Sequence, residues 1–329
     1  MKTRAPRNRT LFCTDAEIAR FSAGLLSLSG AASVESLTGR IVNQDFRAAC
    51  PFLPLGFVDL LILDPPYNLT KNFNGHVVRS KDADEYTSWF EGVTSLLIPL
   101  LRPTASVYVC SDWRTSNLVF PVLDRHLHVR NRITWEREKG RGAKANWKNN
   151  TEDIWFCTVG DSYHFDVEAV KLKRRVVAPY RHNDGRPKDW EETHNGNFRL
   201  THPSNLWSDI TIPFWSMPEN TDHPTQKPEK LIARLLLASS RPADFVFDPF
   251  LGSGTTAVVA SKLHRRFCGI ELNREYCCLA AKRLKQAEAD STIQGYSDGV
   301  FWERNSVNHQ KSGKALKTPG SNSPDLSNE

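Results

Sequence analysis

VFDPFLGSGTTAVVA, residues 246–260, decides the fold. Its opening residues extend DFVFD (244–248), an apolar strand, and TTAVVASKLH (255–264) has the look of a helix. Between them Gly252 and Gly254 supply the backbone freedom that a sharp strand-to-helix turn demands. Gly252-x-Gly254-x-x-Ala257 has the form of a turn that seats a nucleotide-like ligand in a parallel α/β sheet. The surroundings agree. KPEKLIARLLLASS (227–240) predicts a helix with Pro228 in its first turn, RRFCGIEL (265–272) a strand, and REYCCLAAKRLKQAEA (274–289) a closing helix. Upstream, GRIVNQD (39–45) and FVDLLILD (57–64) are strands. A helix from Ala83 to Leu101 then ends at Arg102-Pro103, before the strand ASVYVCSD (105–112). Strands separated by helices of this length imply a Rossmann-like α/β fold, a mostly parallel twisted sheet flanked by helices.

Asp248 narrows the ligand. A pyrophosphate at this helix N-terminus would face a carboxylate, which cancels much of the attraction of the dipole and free amides. S-adenosylmethionine carries no phosphate. Its ammonium and sulfonium favour a nearby negative charge, and Glu271, at the end of the following strand, is placed to hold ribose hydroxyls. An NAD-linked dehydrogenase is the competing reading of the glycines and Glu271, and it leaves the next motif unexplained.

That motif is ILDPPYN, residues 62–68. Residues at the C-terminal end of a parallel strand line the crevice where such folds bind ligands. Pro65 and Pro66 have no N–H, so a stiff turn presents carbonyl oxygens beside the Asp64 carboxylate. Those acceptors suit an exocyclic amine with two hydrogens to donate. Accepting them on Asp64 and the Pro65 carbonyl would aim the nitrogen lone pair at an electrophilic methyl, with Tyr67 stacked on the base. Such an amine is buried inside a duplex, so the base must be extruded.

Composition sets the outer bounds. The 329 residues are 40% hydrophobic and 24% charged, enough to bury one large core or two. No apolar run approaches the roughly 20 residues of a membrane span, and MKTRAPRNRT leads into no signal-like segment. Seven cysteines without a CxxC pair imply free thiols in a reducing cytoplasm and no metal site. The net charge of +6 is concentrated: residues 130–148 hold seven Lys or Arg against two Glu, and residues 171–188 hold seven against Asp184. Trp and Asn interleaved with these cations point to nucleic acid.

Taken together, the motifs resemble the β class of S-adenosylmethionine-dependent DNA amino-methyltransferases. Asp64-Pro65-Pro66-Tyr67 matches the family's catalytic D/S-PP-Y, and Phe250-Leu251-Gly252-Ser253-Gly254 its F-x-G-x-G cofactor motif. His223-Pro224-Thr225-Gln226-Lys227-Pro228 matches a third element that holds the methionine end. The order is circularly permuted, with catalysis first and cofactor last. The resemblance implies Asp64, Pro65, Pro66 and Tyr67 as catalytic residues. It implies cofactor contacts from Asp45, Asp64, His223, Thr225, Lys227, Asp248, Phe250, Gly252, Ser253, Gly254, Thr255, Glu271 and Asn273; Gln44 stands where relatives show Gly before Asp45. DNA contacts fall to Arg137, Lys139, Arg141, Lys144, Lys173, Arg174, Arg175 and Arg181, with His182 and Asn183 beside them.

The expected organisation is an N-terminal extension over 1–38, a catalytic half over 39–159, a loop-rich target-recognition region over 160–215, a cofactor-binding half over 216–300 and a disordered tail over 301–329. Asp at the first catalytic position is similar to adenine-N6 enzymes; cytosine-N4 members more often carry Ser. The resemblance therefore implies a site-specific adenine methyltransferase of a restriction-modification system, bacterial or phage-encoded and cytoplasmic. Its partners would be double-stranded DNA, a cognate restriction endonuclease and a second copy in a homodimer. Cytosine-N4, RNA or protein-glutamine methylation and a catalytically dead DNA binder are the remaining alternatives.

Overall fold

A computed structural model describes residues 6–73, 76–137, 145–176, 180–193 and 196–304. In chain order the strands are β1 (Arg40–Asn43), β2 (Val58–Leu63), β3 (Lys71–Phe73), β4 (His76–Val78), β5 (Leu101–Ser111), β6 (His128–Glu136), β7 (Thr151–Thr158), β8 (Leu172–Arg175), β9 (Glu191–Thr193), β10 (Gly196–Thr201), β11 (Leu206–Trp207), β12 (Phe245–Asp248), β13 (Arg266–Glu271), β14 (Tyr296–Ser297) and β15 (Val300–Trp302). The helices are α1 (Asp15–Ser22), α2 (Val34–Leu37), α3 (Phe46–Ala49), α4 (Ala83–Leu97), α5 (Ser116–His126), α6 (Glu229–Ser239), α7 (Thr255–Lys262) and α8 (Arg274–Ala289).

The main sheet runs β1-β13-β12-β2-β5-β7-β6-β11. Its first five strands are parallel, β7 pairs antiparallel with both β5 and β6, and β11 is parallel to β6. β12 lies between β13 and β2, so both ends of the sequence build one sheet. From β2 the chain winds outward to β5, and from β12 the other way to β13. The strand order therefore reverses between β2 and β12, where α/β sheets open a ligand crevice.

Period-two alternation buries both faces. Leu60 and Ile62 of β2 and Val246 of β12 join the core under α6, α7 and α8, while Leu61, Leu63, Phe245 and Phe247 join the core under α4 and α5. α4 starts where Asp82 accepts the Glu85 amide and buries Tyr86, Phe90, Val93 and Leu97 along one face. It ends sooner than the sequence predicts. Pro99 falls in a 3-10 turn over Ile98–Leu100, and Leu101 already begins β5, which runs through Pro103. The basic stretch after residue 130 also contains most of β6, whose Ile133 and Trp135 face the core.

β14, β15, β8, β10 and β9 form a second, five-stranded sheet. The closing pair β14–β15 thus completes a sheet begun some 120 residues earlier, and Phe301 and Trp302 within the expected tail are buried. Arg234 of α6 joins the two sheets: it forms a twofold hydrogen-bonded pair with Asp209 at 3.0 and 2.7 Å and lies 4.8 Å from the rings of both Trp207 and Phe301. Residues of the N-terminal extension strap the core. Arg9 and Leu11 donate to the carbonyls of Trp215 and Asn220, and Glu17 of α1 pairs with Lys282 of α8 at 2.8 Å. Among the described residues no helix is long and apolar enough to cross a membrane.

Candidate active site

Four adjacent parallel strands deliver an acid to the same edge. Asp45 follows β1, Glu271 closes β13, Asp248 closes β12, and Asp64 follows β2. They line one cavity of about 590 Å³, together with Pro65, Pro66, Tyr67, His223, Thr225, Lys227, Phe250, Gly252, Ser253, Thr255 and Asn273. Of the cofactor residues expected from sequence, only Gly254 lies off this lining. At φ +84° it packs so tightly on α8 that a Cβ would stand 2.4 Å from the Ala280 Cβ. Gly252 serves the cavity itself: its Cβ would lie 3.0 Å from His223 Nε2.

Each acid is held by a different set of donors. Glu271 accepts the Gly252 amide at 2.9 Å and the Asn273 amide at 2.7 Å, one on each oxygen. Burial nonetheless outweighs these amides and raises its pKa. Asp248, 3% exposed, accepts the Phe250 amide at 3.0 Å, and burial pushes its carboxyl up to about 7. Asp45 caps α3 by accepting the Arg47 and Ala48 amides. The preceding Gln44 exchanges two hydrogen bonds with the Leu28 backbone, so the residue that departs from the family pattern fastens the N-terminal extension. His223 receives the Thr225 amide on Nδ1 at 3.4 Å, and burial lowers its pKa to about 4 despite the nearby Asp64 charge. It is a neutral ring, edge-on to Tyr276 at 4.5 Å.

The turn after β2 is more constrained than its sequence suggests. Tyr86 donates its hydroxyl to the Pro66 carbonyl at 3.1 Å, and Asn68 clamps the Lys81 backbone through both ends of its amide. Tyr67 turns its hydroxyl inward onto Asp64 Oδ1 at 3.0 Å. Lys227 Nζ lies 2.8 and 2.7 Å from the two Asp64 oxygens, 3.1 Å from the Tyr67 hydroxyl and 3.3 Å from Glu152 Oε2. Burial works against the ammonium, but the Asp64 and Glu152 carboxylates prevail and hold its pKa above the usual lysine range. Lys227, expected on the cofactor, lines the cavity and pairs there with Asp64.

Glu152 and Tyr86 were missed from sequence. A Glu at the mouth of the strand TEDIWFCT is the only hint of the first, and nothing in the spacing from the DPPY turn marks the second. Arg137, expected on DNA, lies 2.6 Å from Glu152 Oε1, because a buried carboxylate needs a cation. Lys139, Arg141 and Lys144 fall outside the described residues. Of the remaining cations Lys173, Arg174 and Arg175 sit on β8 of the second sheet, and Arg181 lies between β8 and β9. Lys173 Nζ lies 4.9 Å from the Trp302 ring, Arg174 is 3.6 Å from Glu303, Arg181 stacks on Trp190 at 4.7 Å, and Arg175, His182 and Asn183 are exposed.

Comparison with known proteins completes the picture. The family model described as DNA methylase, N6_N4_Mtase, matches residues 58–282. The DNA adenine methyltransferase YhdJ of Escherichia coli K12 is 33% identical over 256 residues, covering 75% of this chain and 83% of the relative. Among solved structures, the PvuII cytosine-N4-specific DNA methyltransferase superposes with TM-score 0.57 at 17% identity, covering 82% of this chain and 89% of its own. The M1.HpyAVI complex with S-adenosylmethionine gives TM-score 0.50 at 22% identity, covering 74% and 98%. With the Asp64–Tyr67 turn, the glycine turn and three of the four strand-end acids, Asp64, Asp248 and Glu271, inside the matched span, the chain belongs to the N6/N4 DNA methylase family.

Proposed function

We propose that the protein transfers a methyl group from S-adenosylmethionine to the exocyclic N6 amine of an adenine extruded from double-stranded DNA. The observation that carries this reading is the single cavity that joins the Asp64–Tyr67 turn to the Gly252–Glu271 cradle. The cradle fits the cofactor: Glu271 keeps acceptor capacity for a ribose hydroxyl beyond the backbone amides it receives, Asp248 offers a negative charge, and Phe250, Phe46 and Trp89 give an aromatic wall, with centroids 6.1 and 6.2 Å from Phe250. Bound S-adenosylmethionine supplies an electrophilic methyl.

The chain's own residues prepare the nucleophile. Tyr86 steadies the turn through the Pro66 carbonyl, and the acceptors assigned to the two amine hydrogens are Asp64 and the Pro65 carbonyl. Two acceptors held by a proline turn fix the lone pair along one line, and positioning of this kind contributes on the order of 7 to 11 kcal/mol in the best cases. Buried His223, whose pKa burial lowers to about 4, shapes the floor under Gly252. Adenine over cytosine is supported by Asp at the head of the turn and by the similarity to an adenine methyltransferase. Cations of the second sheet are the proposed phosphate and base contacts, and DNA the substrate.

Incubation with duplex DNA and methyl-labelled S-adenosylmethionine, followed by digestion to nucleosides and mass spectrometry, tests this directly. Label is expected in N6-methyladenine. Label in N4-methylcytosine overturns the choice of base, and label in neither overturns the function.

A further inference from the structure

Glu152 is a buried carboxylate to which the chemistry above assigns no task. It is 3% exposed and sits near the start of β7, opposite Trp135 on β6. One oxygen is matched by Arg137 at 2.6 Å; the other lies 3.3 Å from Lys227 Nζ and 3.3 Å from the Tyr67 hydroxyl. Lys227 is thus shared unequally between two carboxylates, at 2.7 and 2.8 Å from Asp64 and 3.3 Å from Glu152.

The present arrangement receives an amine poorly. Asp64 Oδ1 already accepts from both Tyr67 and Lys227, which uses its two lone pairs; Oδ2 keeps one, but it too faces the ammonium, which drains the carboxylate's negative charge. The target nitrogen gains positive charge as it is methylated, and an ammonium on the carboxylate that steadies it opposes that gain. A shift of the ammonium by a fraction of an ångström toward Glu152 would leave Asp64 to the amine and keep the lysine paired.

We propose that Lys227 is a latch on Asp64 and that Glu152 is the carboxylate that receives it when the target amine enters. No bond or proton is transferred in the exchange; one hydrogen-bonded ion pair replaces another. Glu152 is then a positioning residue, acting through Lys227. The inference rests on the reading of Asp64 as the acceptor of the target amine.

Its test uses the full chain labelled with 15N-lysine, with the Lys227 ammonium signal identified by its loss in Lys227→Met. With the cofactor site saturated by S-adenosylhomocysteine, adenosine is added as an amine donor, and purine riboside, which lacks the amine, as the control. The signal is expected to move with adenosine only, and to stay fixed in Glu152→Gln. In single-turnover methylation Glu152→Gln should be slower by about a hundredfold, as for loss of one preorganised charge contact, with S-adenosylhomocysteine affinity within about twofold. The double variant Glu152→Gln/Lys227→Met should be faster than Glu152→Gln, since no latch remains to be released; a merely structural role would make it slower. A signal indifferent to adenosine, or a double variant no faster than the single, overturns the proposal. Should Glu152→Gln lose S-adenosylhomocysteine binding and so its fold, Glu152→Asp replaces it, with the same rescue by Lys227→Met expected. If the wild-type chain transfers no methyl to DNA, the functional reading fails separately, and the ammonium signal alone decides the latch.

Discussion

The strand-end acids and the second sheet handle charge in opposite ways. Asp248 and Glu271 are drawn into the protein and fastened by backbone amides, and Asp64 is fastened by Lys227, so each has one geometry. Arg174 and Arg181 instead lie beside a half-exposed acid or over an aromatic ring, partners they can exchange for phosphate at little cost. A methyl transfer needs the first kind of site, because an acceptor misplaced by an ångström loses its hold on the amine. A surface that slides along a polyanion needs the second.

The sharpest way to break the contrast is to remove one fixed acceptor. Asp64→Ala should slow methyl transfer about a thousandfold or more while S-adenosylmethionine affinity changes little, because the carboxylate acts on the amine. The same change strands Lys227 beside Glu152 alone, and losing one member of a buried pair costs about 3 to 5 kcal/mol, so thermal unfolding should report a lower midpoint. Turnover at the wild-type rate would sink the assignment of Asp64.

The two regions also differ in how much of them could be read before folding. Strands that end in an acid, a proline pair after one and glycines after another are local patterns, and a parallel sheet obliges them to converge at one edge, so the cavity follows from the chain order of its motifs. Long-range pairings leave no such trace. That Lys227 reaches across to Asp64, 163 residues earlier, is set by where α6 enters the core, and Gln44 tying down Leu28 or β15 completing the second sheet are likewise products of packing. Cations on a surface carry no period at all, and of the eight expected DNA contacts the described residues show Arg137 turned inward to Glu152.

A middle-sized effect probes the buried side through pH. Burial raises the Asp248 carboxyl to about 7, above its value in an unfolded chain, so the folded protein holds a proton there below that pH. A cationic cofactor prefers the carboxylate, and binding must then expel the proton. Affinity for S-adenosylmethionine is accordingly expected to be level above about pH 7 and to fall toward tenfold per pH unit below it, as linkage of one proton requires. Calorimetry in buffers of different ionisation enthalpy should count that proton. Asp248→Asn should weaken binding at pH 8 and flatten the profile; a profile that keeps its slope in the variant would place the titrating group elsewhere. The sign for stability is the reverse: a raised carboxyl favours the fold at low pH, and its contribution is lost between the unfolded value and about 7.

The smallest expected effect belongs to the exposed side, and it separates two neighbours on one strand. Arg175 is exposed at the end of β8, whereas Lys173, two residues back, lies 4.9 Å from the Trp302 ring and 5.5 Å from Phe198. If Arg175 neutralises one phosphate, Arg175→Ala should weaken duplex binding severalfold at low salt and reduce the slope of log affinity against log salt by about 0.9. That loss should be the same for any sequence, because a phosphate contact carries no base information. Lys173→Ala should instead act through packing, lowering the stability of the second sheet by about 1 kcal/mol, the scale of a partly desolvated cation–π contact, with a smaller change of slope. Salt titrations of the two variants against one duplex decide between these roles. Equal slopes would mean that the aromatic partners of Lys173 release it to DNA as readily as solvent releases Arg175, and the second sheet would then carry exchangeable charge throughout. Unequal slopes place the division between fixed and exchangeable charge inside that sheet.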